Sequence, residues 1–494
     1  MTLRLFCSAA NAGRFKSSNL PGLGNKITFI KSHLHKRQLT SGSGGTTDDN
    51  LKSIFEKLKN TRLINSALEV PHESDIVIIG GGAIGMSSAF WMKQNNPAGY
   101  SVTLIEKDPT YSKASTTLSV GGIRQQFGLK ENIQMSLFSA EFFRRIKEHL
   151  SVLSLDPPDV CFNHQGYLFL ATKEGEQQLK ENYETQISLG AKVDYMSRDQ
   201  LKLKFPWMNV DDVEAGCYGI QNEGWFDPWL LLASLKVKAA SLGVNLVTGE
   251  VVGFETEATK INSPVTQSYE QRPLLRSVKV KTPNGKVHDL KFAMVLNCAG
   301  AWSSEIAKMA GIGVEKEGPL SFALPVEPRL RYVYVFHCPD GPGLQTPMLI
   351  DPSGVYVRRE GLGGMYVCGA SPPQGEPEPD PNQTVADEEF FKNHIWPALA
   401  RRVPAFECLK LTGSWCGHYD YNYFDGNLII GNHPYHRNFF MATGCTGHGI
   451  QHSPAIGHAI MEYMLRDDYV TIDLSRMSFD RIMDGGKLME PLIV

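Results

Sequence analysis

The residues best suited to chemistry begin with three glycines. Gly80, Gly82 and Gly85 stand at G-x-G-x-x-G spacing in Asp75-Ile-Val-Ile-Ile-Gly-Gly-Gly-Ala-Ile-Gly85. Without β-carbons, the backbone there can turn tightly, approach a pyrophosphate and pack a helix against a strand. The free N–H groups and positive dipole end of a following helix suit bound phosphate. Glu106 follows Gly85 by 21 residues, placed for ribose hydroxyls. Two further glycine turns lie far along the chain, at Asn297-Cys-Ala-Gly-Ala-Trp302 and Gly444-Cys-Thr-Gly-His-Gly449. The polar stretch Tyr111–Phe127 adds hydroxyls at Ser115, Thr116 and Thr117, the pair Gly121-Gly122, and a guanidinium at Arg124. A nicotinamide dinucleotide domain needs one such junction; several argue for one longer ligand.

Among the supports of these groups, the β-branched run Ile76–Ile79 reads as a buried strand. The apolar positions Ala83, Ile84, Ala89, Phe90 and Met92 read as a helix, and Ser101–Glu106 as a second strand, giving a βαβ unit. Ile133, Leu137, Phe138, Phe142, Ile146 and Leu150 predict an amphipathic helix. Asp227 is an N-cap with Pro228 at the first helical position. Met294–Trp302 and Phe439–Gln451 each read as strand, glycine turn and helix. Residues 255–275 read as a surface loop, and the Pro/Glu/Asp-rich stretch 372–381 as another.

The formal charge of −3 gives no reason to expect nucleic acid, and no apolar run approaches the roughly 20 residues of a membrane span. The nine cysteines are scattered without C-x-x-C, which argues for a reducing compartment and against disulfides or zinc. His448 and His452 have metal-ligand spacing but no acid partner, so no metal is expected. His433 and His436, in a proline loop, read as surface groups. No G-x-S-x-G suggests a hydrolase. Residues 1–47 carry Arg4, Arg14, Lys16, Lys26, Lys31, Lys36 and Arg37 and no acid, the composition of a mitochondrial transit peptide. Leu51, Ile54, Phe55 and Leu58 mark a short amphipathic helix in the linker that follows.

Taken together, the first βαβ unit, Gly121-Gly-Ile-Arg124, Asn297–Trp302, Leu324-Pro-Val-Glu-Pro328, Trp415-Cys-Gly417 with Asp425 and Gly431, and Gly444–Gly449 resemble the glycine oxidase, sarcosine oxidase and D-amino-acid oxidase superfamily of FAD-dependent amine oxidoreductases. The resemblance spans roughly 75–465. It implies an α/β fold, with a Rossmann-like FAD-binding domain interleaved with a mixed or antiparallel-sheet substrate domain. The implied segments are FAD-binding at 75–130, 216–323 and 406–494 (with a C-terminal tail), and substrate domain at 131–215 and 324–405, after the leader 1–47 and linker 48–74.

By the same resemblance the pyrophosphate lies at Gly80, Gly82, Ala83, Ile84 and Gly85, and the adenosine ribose at Glu106 and Lys107. Ser115 and Thr116 contact the phosphate and ribityl region, Val251 the adenine, and Ala299, Gly300 and Trp302 the adenine half. Gly447, His448, Gly449 and Ile450 lie under the flavin pyrimidine edge. Arg124 is implied as the substrate-carboxylate residue, a role a planar guanidinium suits. Arg124, His448 and Tyr366 form the implied catalytic set, Tyr366 standing where the dioxygen-activating lysine of sarcosine oxidases falls. That replacement, with Gln451 where a basic residue follows G-H-G, points to a dehydrogenase rather than an oxidase. The flavin-linking histidine of dimethylglycine dehydrogenases aligns with Ser119, and Cys416 lies one residue from the linking cysteine of monomeric sarcosine oxidases, so FAD is expected to be non-covalent. Gly413–Asn422 and the basic leader narrow the resemblance to a mitochondrial matrix member associated with respiratory complex I assembly. Implied partners are a small amino or N-methylamino acid and complex I subunits or assembly intermediates. The alternative is a flavin-binding assembly protein with little turnover.

Overall fold

The computed structural model describes residues 69–491 except 154, 263–268 and 374. The basic leader and the Leu51–Leu58 helix lie outside the described residues.

The strand Glu73–Ile79 is central because its last four residues are apolar to both sides. It pairs in parallel with Val102–Glu106 on one flank and Val287–Asn297 on the other. The parallel sheet extends to Asn245–Thr248 beyond the first and Phe439–Thr443 beyond the second, with Ile429–Asn432 antiparallel at that edge. Alternation sends Ile76 and Ile78 into a core shared with the helices Ala83–Asn95, Lys130–Arg144, Pro228–Ser241 and Gly449–Arg466. Val77 and Ile79 enter the opposite core with Val247, Val278, Val295 and Ile306. The register sets Ile79 beside Ile105 and Asn297, so the chain leaves the sheet along one edge, at Gly80, Lys107 and Cys298. Ligands of such sheets bind at the carboxyl ends of the strands.

Two helices aim their N-termini at that edge, Ala83–Asn95 and Gly449–Arg466, and they pack closely. A β-carbon on Gly457 would collide with Ser87 Oγ. Pro454 removes the N–H that would serve the Ile450 carbonyl, and Ser453 Oγ donates there at 2.9 Å instead. Asp227 caps the Pro228–Ser241 helix by accepting from Trp229 N and Leu230 N.

A second sheet runs in the order Lys410–Asn422, Val326–His337, Met365–Gly369, Tyr356–Glu360, Met348–Ile350, Tyr167–Ala171, Ala215–Gly219, Val193–Ser197. Its pairs are antiparallel except Met348–Ile350 with Tyr167–Ala171. Leu168 and Leu170 bury in a core with Phe336, Tyr366 and Phe406, while Tyr167 and Phe169 face the other way. The fold is α/β, a Rossmann-like parallel sheet interleaved with a mixed, mainly antiparallel one.

Several local expectations change. Residues 255–275 are largely not a loop: Glu250–Asn262 and Tyr269–Lys281 form an antiparallel hairpin beside Val287–Asn297. Its polar residues pair across strands, as in Lys279 with Glu255 and Asp289, so it lacks apolar alternation on the open face. The Lys130–Arg144 helix packs in the core of the first sheet through Met135, Phe142 and Phe143, although it falls in a segment expected in the substrate domain. The strand Lys410–Asn422 belongs to the second sheet, although it falls in the last FAD-binding segment. His433 and His436 are buried, not surface groups. His433 Nδ1 accepts the N–H groups of Tyr435 and His436, its ring packs 4.9 Å from Phe479, and burial holds its pKa down at about 4.

Candidate functional site

Where the two sheets meet, a cavity of about 1020 Å³ opens along the carboxyl edge of the parallel strands. Gly80, Gly82, Ala83, Ile84, Glu106, Lys107, Ser115, Thr116, Arg124, Val251, Ala299, Gly300, Trp302, Gly447, His448, Gly449 and Ile450 all line it. Gly85 and Tyr366 do not.

The three glycines have separate duties. Gly80 has φ +102°, and a β-carbon there would strike the Cys298 carbonyl. A β-carbon on Gly85 would strike the Gly80 carbonyl, so Gly85 lets helix sit on strand. A β-carbon on Gly82 meets only Thr116 Oγ1, at 3.2 Å, and points toward open cavity. Thr116 Oγ1 also accepts Ala83 N–H at 3.0 Å, tying the Tyr111–Phe127 stretch to the helix start. Glu106 accepts Gly81 N–H and Asp108 N–H, each at 2.7 Å. Burial raises its pKa, and those two hydrogen bonds oppose the rise. This end is a cradle of glycine backbone and helix N–H with a carboxylate at its rim, which fits a dinucleotide.

At the other helix, the turn Gly444–Gly449 is clamped by Asp420 from the second sheet. Its Oδ2 accepts Cys445 N–H at 3.0 Å and its carbonyl accepts Thr446 N–H at 3.0 Å. His448 is the N-cap of the Gly449–Arg466 helix and contributes no side-chain cap, so the helix end faces the cavity with its N–H groups. Burial, reinforced by the charge of Arg124, pushes the His448 pKa well below the usual imidazole value. His448 is therefore neutral, and its Nε2 receives Arg124 Nη2–H at 3.0 Å. Arginine has only donors, so the imidazole proton sits on Nδ1.

Arg124 is held with unusual care. Its backbone N–H donates to Gln451 Oε1 at 2.8 Å. Its guanidinium carbon lies 4.4 Å from the Phe127 ring centroid and 4.8 Å from that of Phe169. Among the described residues its guanidinium hydrogen-bonds to His448, so further N–H donors remain for a ligand. Among the described residues no carboxylate forms a salt bridge with it. Burial lowers its pKa, opposed by Tyr167, Glu490 and Glu223. Behind it Glu223 accepts Gln125 N–H at 2.7 Å and Gln126 Nε2–H at 2.8 Å, and burial lifts the Glu223 carboxyl to about 7.

Tyr366 is corrected. It is 1% exposed and stacks on Phe336 at 5.3 Å, with Phe406 edge-on at 4.9 Å, and its hydroxyl accepts Gly343 N–H at 3.0 Å. It is a core residue on the far face of its strand, one position out of phase with the face that could meet the cavity, so it says nothing about dioxygen. Cys416 also faces away. Its neighbours Trp415 and Gly417 are the ones that meet Leu118, while the Cys416 Sγ lies 3.7 Å from the Gln383 carbonyl. Among the described residues, no group of three His, Cys, Asp or Glu is arranged to hold a metal ion. Sequence reasoning missed Asp420, Glu223, Gln451 as the partner of Arg124, and Glu490 with Pro491, which also line the cavity or brace it.

A parallel sheet with this glycine edge, a second sheet over it, and a shared elongated cavity define a flavin-dependent oxidoreductase. The model of the DAO family, FAD dependent oxidoreductase, matches residues 75–463, and the chain belongs to that family. FAD is its cofactor. The chain is 50% identical over 432 residues to FAD-dependent oxidoreductase domain-containing protein 1 of Xenopus laevis, covering 86% of this chain and 85% of that one. It is 26% identical over 427 residues to the mitochondrial dimethylglycine dehydrogenase of Rattus norvegicus, covering 82% of this chain and 45% of that one. Among solved structures, L-proline dehydrogenase from P. horikoshii superposes with a TM-score of 0.69 at 26% identity, over 85% of this chain and all of that one.

Proposed function

We propose that this chain is a mitochondrial dehydrogenase that oxidises the carbon–nitrogen bond of a small amino or N-methylamino acid, in association with complex I assembly. The observation that carries the reading is Arg124, packed on the rings of Phe127 and Phe169 and bonded to His448 at the N-terminus of the Gly449–Arg466 helix. Bound FAD supplies the two-electron acceptor. Arg124 binds the substrate carboxylate through its remaining N–H donors, and Gln451 and His448 fix its direction. His448, neutral, adds no second charge and leaves the amine to react in its own neutral form, without an obligatory side-chain base. The helix end offers positive potential where charge develops on reduction.

Dehydrogenase rather than oxidase chemistry is supported by Gln451 at the position after G-H-G. Among the described residues, the lysines lining the cavity are Lys107 and Lys113, both on the Glu106 side. The names of the rat and P. horikoshii relatives support a carbon–nitrogen substrate, and the former also supports a mitochondrial site. The tie to complex I rests on the acid-free basic leader and the Gly413–Asn422 resemblance. Gln451 equally favours the second reading, a flavin-binding assembly protein with little turnover.

The test is anaerobic mixing of the yellow holoprotein with a panel of amino and N-methylamino acids. Bleaching of the flavin by a member of the panel is expected. No bleaching across the panel, with complex I intermediates co-purifying, would replace the first reading with the second.

A further inference from the structure

Glu490 and Pro491, near the end of the described residues, line the cavity. Leu488 is buried, donates its N–H to Asp425 Oδ2 at 3.1 Å, and accepts Asn427 Nδ2–H at 2.6 Å. Asp425 is itself fixed by the buried Arg481. From this anchor in the first sheet's layer the chain crosses to the second. Glu490 Oε1 accepts Gly128 N–H and Leu129 N–H ahead of the Lys130–Arg144 helix, and Oε2 accepts Asn132 Nδ2–H at 2.7 Å. The Pro491 carbonyl accepts from Asn182 Nδ2 at 2.8 Å, on the Glu176–Ser188 helix of the second layer. Glu490, Pro491 and Asn182 all line the cavity.

Glu490 is thus a carboxylate built into the wall. Three of its roughly four acceptor positions are taken, which fixes its geometry. Its charge reaches Arg124. The two therefore place opposite charges on one cavity end, with the rest of the surface there formed by groups such as Phe127, Phe169, Leu179 and Met348. We propose that Glu490, held by the Leu488–Pro491 strap, determines substrate specificity by charge: the site takes amines with one carboxylate and turns away those with two. The proposal rests on the carboxylate-binding role of Arg124. One carboxylate anchors on Arg124; a second, directed along the cavity, meets a fixed like charge. A neutral or cationic group meets no such penalty. At an effective dielectric near 20, a like charge several ångströms away weakens binding roughly ten- to a hundredfold.

The test uses flavin-loaded full-length protein and a matched pair of unreactive probes, methylthioacetate and thiodiacetate, in which sulfur replaces the amine nitrogen. Binding is read from the shift of the flavin visible spectrum. The wild type is expected to prefer the monocarboxylate at least about tenfold. Glu490→Gln should bring the ratio toward one by tightening the dicarboxylate more than methylthioacetate, whose single carboxylate is paired with Arg124. Glu490→Asp, which keeps the charge, should restore the preference. Flavin content and thermal midpoint report whether each variant is folded, and the ratio between probes does not depend on the fraction folded. An unchanged ratio in Glu490→Gln, with methylthioacetate still bound through Arg124, would overturn the charge filter alone. Failure of both probes to perturb the wild-type flavin would remove the Arg124 reading and the filter with it.

Discussion

Substituting valine for Gly82 separates the fold of the glycine turn from its binding function. Gly82 has φ −68° and ψ −174°, an extended conformation open to any residue. A β-carbon there meets only Thr116 Oγ1, at 3.2 Å. The hydroxyl must give way slightly, weakening its bond to Ala83 N–H, which costs about 1 kcal/mol. Replacing an N-cap glycine with a β-branched residue adds under about 1 kcal/mol. On the cavity side the isopropyl group fills the space a pyrophosphate needs. Loss of two charge-assisted hydrogen bonds from the helix start, at about 1.5–3 kcal/mol each, gives about 3–6 kcal/mol. That corresponds to FAD binding weaker by about 10²–10⁴-fold. The assay is flavin absorbance per mole of purified protein, a titration of apoprotein with FAD, and thermal unfolding of the apoprotein. Folded, colourless protein is the expected result. Gly85→Ala should differ in kind: its β-carbon meets the Gly80 carbonyl, so it should lose stability in the apoprotein. Full flavin occupancy in Gly82→Val would show that the pyrophosphate does not lie over this turn.

Three further outcomes follow from the packing. Glu223 has a folded pKa raised to about 7, so the native state holds its proton where the unfolded chain has released it; stability should fall by about 3 kcal/mol as pH rises from about 4.5 to about 7. Glu223→Gln should remove that fall, seen as a flatter urea midpoint between pH 5 and 8; parallel profiles would refute it. Tyr366→Phe should cost about 1 kcal/mol through the unpaired Gly343 N–H and leave the flavin spectrum and any substrate reduction rate unchanged, measured by urea unfolding and anaerobic stopped flow; a change in reduction rate would return Tyr366 to the site. Arg481→Ala leaves Asp425 buried without its counter-charge and should destabilise by about 3–5 kcal/mol in the same unfolding assay, loosening the C-terminal strap.

Much of the flavin half was legible because its signals are local. The apolar run Ile76–Ile79, the glycine spacing after it and the acid at Glu106 fall within one βαβ unit, where period and turn chemistry act on neighbouring residues. The turns at Asn297–Trp302 and Gly444–Gly449 carry the same local mark. What escaped depends on contacts across hundreds of residues. Gln451 holds Arg124, Asp420 holds Cys445 and Thr446, and Glu490 holds Gly128 and Leu129; no periodicity marks such pairs. Tyr366 escaped because an aromatic in a strand carries no mark of which face it takes, and here that face is the core. The Lys130–Arg144 helix was assigned to the wrong layer because its apolar stripe shows that it packs, not on which sheet. The Glu250–Lys281 hairpin hid behind charges that pair across its strands.

The central claim is that Arg124 anchors a substrate carboxylate beside the flavin. Its most direct test is the anaerobic rate of flavin reduction by the panel member that bleaches the protein, compared with the same amine lacking its carboxylate, in wild type and Arg124→Gln. A strong preference for the carboxylate-bearing amine is expected in the wild type, by about 10² or more from two lost charge-assisted hydrogen bonds, collapsing to near equality in the variant while flavin occupancy holds. The same preference in both proteins would contradict it.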